Sequence, residues 1–121
     1  MAKHIETGKK GEALAVRFLN LKGYEILETN WRSNHKEIDI IALDKEELVI
    51  VEVKTRSTDY FGYPEEAVDA KKQKLLISAA QDYIDKTDWE AGVRYDIVSV
   101  LLKKGESHII HHITDAFTPG L

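Results

Sequence analysis

The chain has no cysteine, only two prolines (Pro64 and Pro119), and no long unbroken apolar run. Without cysteine there is no disulfide framework and no Cys-based zinc site, and the absence fits a reducing compartment. A membrane span needs roughly 18 consecutive apolar residues, which no stretch supplies. The opening segment, "MAKHIETGKKGEA", lacks the apolar centre of a signal peptide. A cytoplasmic protein with no membrane partner is therefore expected. No internal repeat or low-complexity tract interrupts the chain.

What is present is an ordinary globular composition. The 121 residues are 43% apolar and 31% charged, which indicates a single folded domain over 1–121 and not disorder. A net charge of −4 argues against a polyanionic partner on charge alone. The distribution is uneven, however. Residues 1–36 carry seven Lys or Arg against four Glu, so a locally basic surface is available.

Apolar residues recur at helical spacing from about Thr7 to Lys22, with Gly23 as a stop. Lys9, Lys10, Arg17 and Asn20 share the polar arc, and Glu12 falls within the apolar arc beside Leu19. "YEILETN" reads as a strand, and "EIDIIALDKEELVIVEVKTR" as a hairpin. A second helix starts near Asp69, a candidate cap, and "VRYDIVSVLL" and "SHIIHHI" are closing strands. The order is α-β-β-β-α-β-β. Near-continuous apolar strands need cover on both faces, so a mixed sheet flanked by helices is expected.

Asp39, Glu52 and Lys54 stand inside the apolar runs of that hairpin. A buried unpaired charge costs several kcal/mol, on the order of the stability of a whole domain. A four-residue turn "DKEE" over 44–47 fixes a register in which Leu43 faces Leu48, Ile41 faces Ile50 and Asp39 faces Glu52. Glu52 and Lys54 share a face because side chains alternate. Two carboxylates that close do not both stay ionised without a cation. Mg²⁺ is bound by one or two carboxylates together with waters and phosphate oxygens. A structural alternative stands beside this one: Lys54 pairs with Glu52 or Glu37 at a strand end, and Asp39 caps a loop.

An acid, then acid-x-Lys on the next strand, with a Glu on the preceding helix, resembles the PD-(D/E)xK nuclease superfamily and its archaeal Holliday-junction resolvases. More closely, "GKKGEALAVRFL", "GYEILETNWR", "EIDIIA", "VIVEVKTR", "FGYPEEAV" and "RYDIVSV" resemble, in order, the YraN family of small bacterial proteins. The resemblance implies a restriction endonuclease-like three-layer α/β fold with a central sheet of about five strands. It implies Asp39, Glu52 and Glu12 as ligands of Mg or Mn and Lys54 as the catalytic lysine. Gln73 in "KKQKL" stands where related nucleases sometimes carry a polar residue facing the site. One departure is Lys36, where the family usually has Gly, which puts the entry to that strand in question. DNA is the implied partner. A homodimer is the assembly implied by junction resolvases, which cut two strands symmetrically.

Other residues carry two readings each. Arg56, Lys71, Lys72 and Lys74 either bind phosphate or form a solvated helix face. The solvated face is preferred for any one of them, although cations at a helix start oppose its dipole, which makes the Lys cluster slightly more suggestive of phosphate. Tyr60, Phe61 and Tyr63 either stack on unpaired bases or fold back under their loop. Trp31 and Arg32 suit packing and a surface ion pair better than nucleic-acid contact. Asp96 either supports the site or pairs with Arg94. His108 and His112 lie about 13 Å apart on one strand face, too far for one zinc ion. Three functions follow from these residues: a metal-dependent nuclease, a non-catalytic nucleic-acid-binding module on the same fold, or an interaction domain whose charges are structural.

Overall fold

Gly23 has a left-handed φ of 95°, and the Tyr24 N–H returns to the Leu19 carbonyl at 3.0 Å. This glycine-dependent stop ends helix α1 (Ala2–Leu21) and turns the chain into the sheet. The computed structural model describes residues 2–57, 68–105 and 107–119. The aromatic residues Tyr60, Phe61 and Tyr63 therefore lie outside the described residues. After α1 come β1 (Glu25–Ser33), β2 (Lys36–Asp44), β3 (Glu47–Ser57), α2 (Ala70–Thr87), β4 (Val93–Leu102) and β5 (His108–Ile113). The element order is the one expected. Helix α1 begins about a turn and a half before Thr7 and carries Gly8 and Gly11 within it.

The five strands lie in sequence order across one sheet. β1, β2 and β3 form an antiparallel meander, β3 and β4 pair in parallel with α2 as the crossover, and β5 returns antiparallel to β4. Asp69 caps α2 by accepting the Lys72 N–H at 2.9 Å. Ile40, Ala42, Val49, Val51, Val98 and Val100 pack with Ala15 and Leu19 of α1. Ile41, Leu48, Ile50 and Ile97 pack with Leu76, Ala79, Ala80 and Tyr83 of α2. The two helices thus cover opposite faces, which gives three layers and explains why the central strands are apolar on both sides. Among the described residues, no helix is long and apolar enough to cross a membrane.

Lys36, at the Gly position of the resemblance, ties the start of β2 to α2. Its ammonium lies 2.8 Å from Asp82 Oδ2 and donates to Ser78 Oγ at 2.9 Å. Trp31 packs edge-on against Tyr83 at 5.2 Å, and Arg32 pairs with Glu37 at 2.8 Å. Packing and a surface ion pair are therefore the roles of "WR".

Candidate functional site

The hairpin turns at Lys45 and Glu46, and β2 and β3 pair in the expected register from Asp44↔Glu47 to Ile40↔Val51. There the ladder stops. Asp39 and Glu52 come next in sequence but form no ladder pair, whereas β3 stays paired to β4 as far as Ser57↔Leu102. β2 also loses its alternation here, since Ile38 packs on the α2 face and Ile40 on the α1 face. Asp39 sits at this kink. Its Oδ2 accepts the Val53 N–H at 2.8 Å, satisfying a donor that the departing strand would otherwise leave unpaired.

Asp39 also meets the Glu52 carboxylate within hydrogen-bonding reach. Burial, the Glu52 charge and that hydrogen bond push the Asp39 carboxyl up from 3.8 to about 8; the Val53 N–H opposes the shift and Glu12 adds to it. Asp39 therefore keeps its proton near neutral pH. Glu52 is 3% exposed. Its Oε2 lies 3.4 Å from Lys54 Nζ and 3.5 Å from Lys72 Nζ, so lysines from β3 and α2 converge on one oxygen. Spacing alone had grouped Lys72 with its helical neighbours. The fold separates them: Lys71 and Lys74 are exposed, and Lys72 reaches the acids.

Glu12 faces the Asp39–Glu52 fork from α1, sharing a cleft with Asp39. A Cβ on Gly11 would overlap Thr55 Oγ1 and come within 2.8 Å of Thr55 Cβ and Cγ2. Only glycine lets α1 lie this close to β3, and Glu12 is the next residue. A cleft of about 310 Å³ opens between α1 and β3, bordered by Thr7, Glu12, Asp39, Lys54 and Arg56. Burial raises the Glu12 carboxyl above its ordinary value; a hydrogen bond from Asn30 opposes this and the Glu37 charge reinforces it. Asn30 Nδ2 donates to Glu12 Oε1 at 2.5 Å. Sequence reasoning did not single out Asn30 or Gly11. The available signal was a Gly inside a helix; Asn30 closed the expected strand, and only the structure extends β1 past it to Ser33.

The remaining candidates lie at or beyond the rim. Arg56 borders the cleft and donates to the Thr55 carbonyl at 3.0 Å. The Gln73 amide donates to the Val68 carbonyl at 3.1 Å, at the start of its own helix. Asp96 pairs with Arg94 through two bonds, at 2.9 and 3.0 Å. Arg94 also holds Asp44, Glu47 and the Tyr24 hydroxyl, so this network gathers at the turn end of the hairpin, away from the fork. His112 is more than a surface strand residue: its side chain is 2% exposed, with Nε2 2.7 Å from Asp96 Oδ2. Lys22 Nζ lies 2.8 Å from His112 Nδ1; an ammonium only donates, so Nδ1 accepts and Nε2–H donates to Asp96.

Among the described residues, no three His, Cys, Asp or Glu side chains are gathered closely enough to hold a metal ion. The donor chemistry nevertheless fits one. Mg²⁺ needs only one or two carboxylates when waters complete its shell, and Asp39 and Glu52 supply two at a single point. The raised Asp39 carboxyl marks the place where a cation would relieve the repulsion. Glu12 stands on the same cleft as a third acid.

Residues 11–100 match the profile of the uncharacterised protein family UPF0102. A UPF0102 protein of Bacteroides thetaiotaomicron is 48% identical over 121 residues, spanning 100% of this chain and 99% of that one. One from Flavobacterium johnsoniae is 49% identical over 121 residues, with 97% and 98% covered. One from Parabacteroides distasonis is 45% identical over 117 residues, with 97% and 96% covered.

Proposed function

Given that the chain belongs to UPF0102, the YraN family, we propose that it is a metal-dependent nuclease that hydrolyses DNA phosphodiester bonds, branched or partly processed DNA being the expected substrate. The observation that carries this reading is the buried Asp39–Glu52 pair, with its raised carboxyl and two converging lysines. Two carboxylates held together inside a sheet are costly as structure and useful as a cation site.

Asp39 and Glu52 would hold Mg²⁺ or Mn²⁺, with Glu12 completing the acidic wall of the cleft. Such an ion would supply positive charge for phosphate oxygens and make an attacking water more acidic. Lys54 donates to the attacking water or to oxygen on which charge develops, from a strand that fixes its direction. Lys72, no longer needed to neutralise Glu52, becomes available to a phosphate. Arg56, Lys71 and Lys74 contact the nucleic-acid backbone around the cleft. Two copies acting together would cut both strands of a junction.

The test is cleavage of branched, flapped and single-stranded DNA in Mg²⁺ and in Mn²⁺, with Asp39→Ala and Glu52→Ala purified alongside. Cutting that requires metal and disappears in both variants supports the reading. Identical traces from all three proteins overturn it.

One observation favours a second reading. Glu52 is already neutralised by Lys54 and Lys72, and among the described residues no buried side-chain polar atom lacks a partner. A nucleic-acid-binding module with a structural charge cluster would look the same at rest. Salt-dependent DNA binding without metal-dependent cleavage selects it.

A further inference from the structure

Among the described residues, five that are not glycine have a positive φ. Asn34, Lys45, Asp88 and Asp115 lie at turns or a helix end; only Asn30, at φ 51°, lies inside a strand. Asn tolerates this conformation better than most residues, but its cost inside a ladder needs a compensating gain. The β1–β2 ladder shows the consequence. Its pairs step from Thr29↔Ile40 to Trp31↔Ile38, passing over Asn30 and Asp39, which face one another across the gap. Both skipped residues turn their side chains to the site: Asp39 to the Val53 N–H, and Asn30 to Glu12. A second hollow, bordered by Lys9, Glu12, Thr29 and Asn30, meets the first cleft at Glu12. Glu12 therefore stands between two openings, and a long carboxylate side chain there has room to turn away from Asp39. A carboxylate only accepts, so the amide nitrogen of Asn30 must face it.

We propose that Asn30 is a positioning residue of the site: its left-handed backbone opens the ladder opposite Asp39, and its amide holds the Glu12 carboxylate on the Asp39 side. Its importance for a bound cation rests on the function proposed above; the tether to Glu12 does not. Partners that orient a ligating carboxylate are typically worth tenfold or more in metal affinity.

Asn30→Gly separates the two contributions, because glycine keeps the left-handed backbone and removes only the amide. The first readout uses metal-free protein. The side-chain amide protons of Asn30, assigned by their loss in Asn30→Gly, are expected downfield in the NMR spectrum and to move when Glu12 is replaced by Ala. The second is the Mn²⁺ concentration giving half of the melting-temperature shift. Asn30→Gly is expected to raise it about tenfold in the wild-type background and to leave it unchanged in a Glu12→Ala background, with the metal-free melting temperature at or above wild type. An amide signal indifferent to Glu12→Ala overturns the tether. An equal Mn²⁺ effect in both backgrounds overturns action through Glu12. If wild type shows no Mn²⁺ shift, the nuclease reading fails, while the metal-free spectrum still decides whether Asn30 holds Glu12.

Discussion

The Asp39 carboxylate accepts the Val53 N–H at 2.8 Å, taking the place that a β2 carbonyl would fill had the ladder continued. A side chain that completes a sheet is held by the sheet, so the acid is rigid before any ligand arrives. The same contact places it against Glu52, and the pH behaviour of the protein follows from that pairing.

Because the Asp39 carboxyl is raised from 3.8 to about 8, the folded state favours its protonated form. The stabilisation is complete below about pH 4 and is lost as pH rises towards 8. In EDTA, the melting temperature of wild type relative to Asp39→Asn is expected to fall between pH 5 and pH 8.5. Asn is the uncharged isostere and has no proton to lose. Thermal melts of the two proteins across that range check this; parallel curves would contradict it.

Gly11 and Gly8 lie one turn apart on α1 and are expected to respond in opposite directions. A Cβ at Gly11 overlaps Thr55, whereas one at Gly8 meets nothing within 4 Å. Gly11→Ala should cost about 1–3 kcal/mol through overpacking, despite the better helix propensity of Ala. Gly8→Ala should gain up to about 1 kcal/mol. Urea unfolding of both variants measures the difference.

The hairpin register was legible because apolar residues match across a four-residue turn, and five ladder pairs follow it. What the sequence did not reveal is that the ladder ends one pair before the acids. The neighbouring β1–β2 ladder also skips its pair at Asp39, opposite Asn30, whose left-handed backbone no propensity marks. Lys72 resembled Lys71 and Lys74 in sequence; only the packing of α2 on the sheet, which brings Lys72 to Glu52, distinguishes it. His112 shared a strand face with His108 and was indistinguishable from it until β5 packed it against Asp96, a contact 16 residues apart in the chain. Local pattern found the elements and the acids, and long-range packing decided which cations and amides serve them.

Arg94 is the centre of the second buried network, where Asp96 has no exposed side-chain surface. Burial alone would raise the Asp96 carboxyl, but bonds from His112, Arg94 and the Asp115 N–H pull it below 3.8. Arg94→Met leaves that charge without its main partner and should cost about 3–5 kcal/mol in urea unfolding. For Asp96 the sign opposes that of Asp39: its stabilisation is present above about pH 4 and is lost as pH falls further.

On the proposed function, Lys72 would compete with a bound cation for Glu52. Lys72→Ala is therefore expected to lower the Mn²⁺ concentration needed for a melting shift while reducing DNA affinity. Lys71→Ala, on the exposed face, should leave the Mn²⁺ response unchanged. Melting titrations and binding curves at two salt concentrations separate the two lysines.

The most direct test of the central claim is calorimetric titration of Mn²⁺ into wild type and Asp39→Asn at pH 8 and at pH 5.5. Saturable binding to wild type is expected, stronger at pH 8 and accompanied by proton release, with at least a tenfold loss in Asp39→Asn. Binding that is equal in both proteins, or independent of pH, would contradict the assignment of the Asp39–Glu52 fork as the cation site.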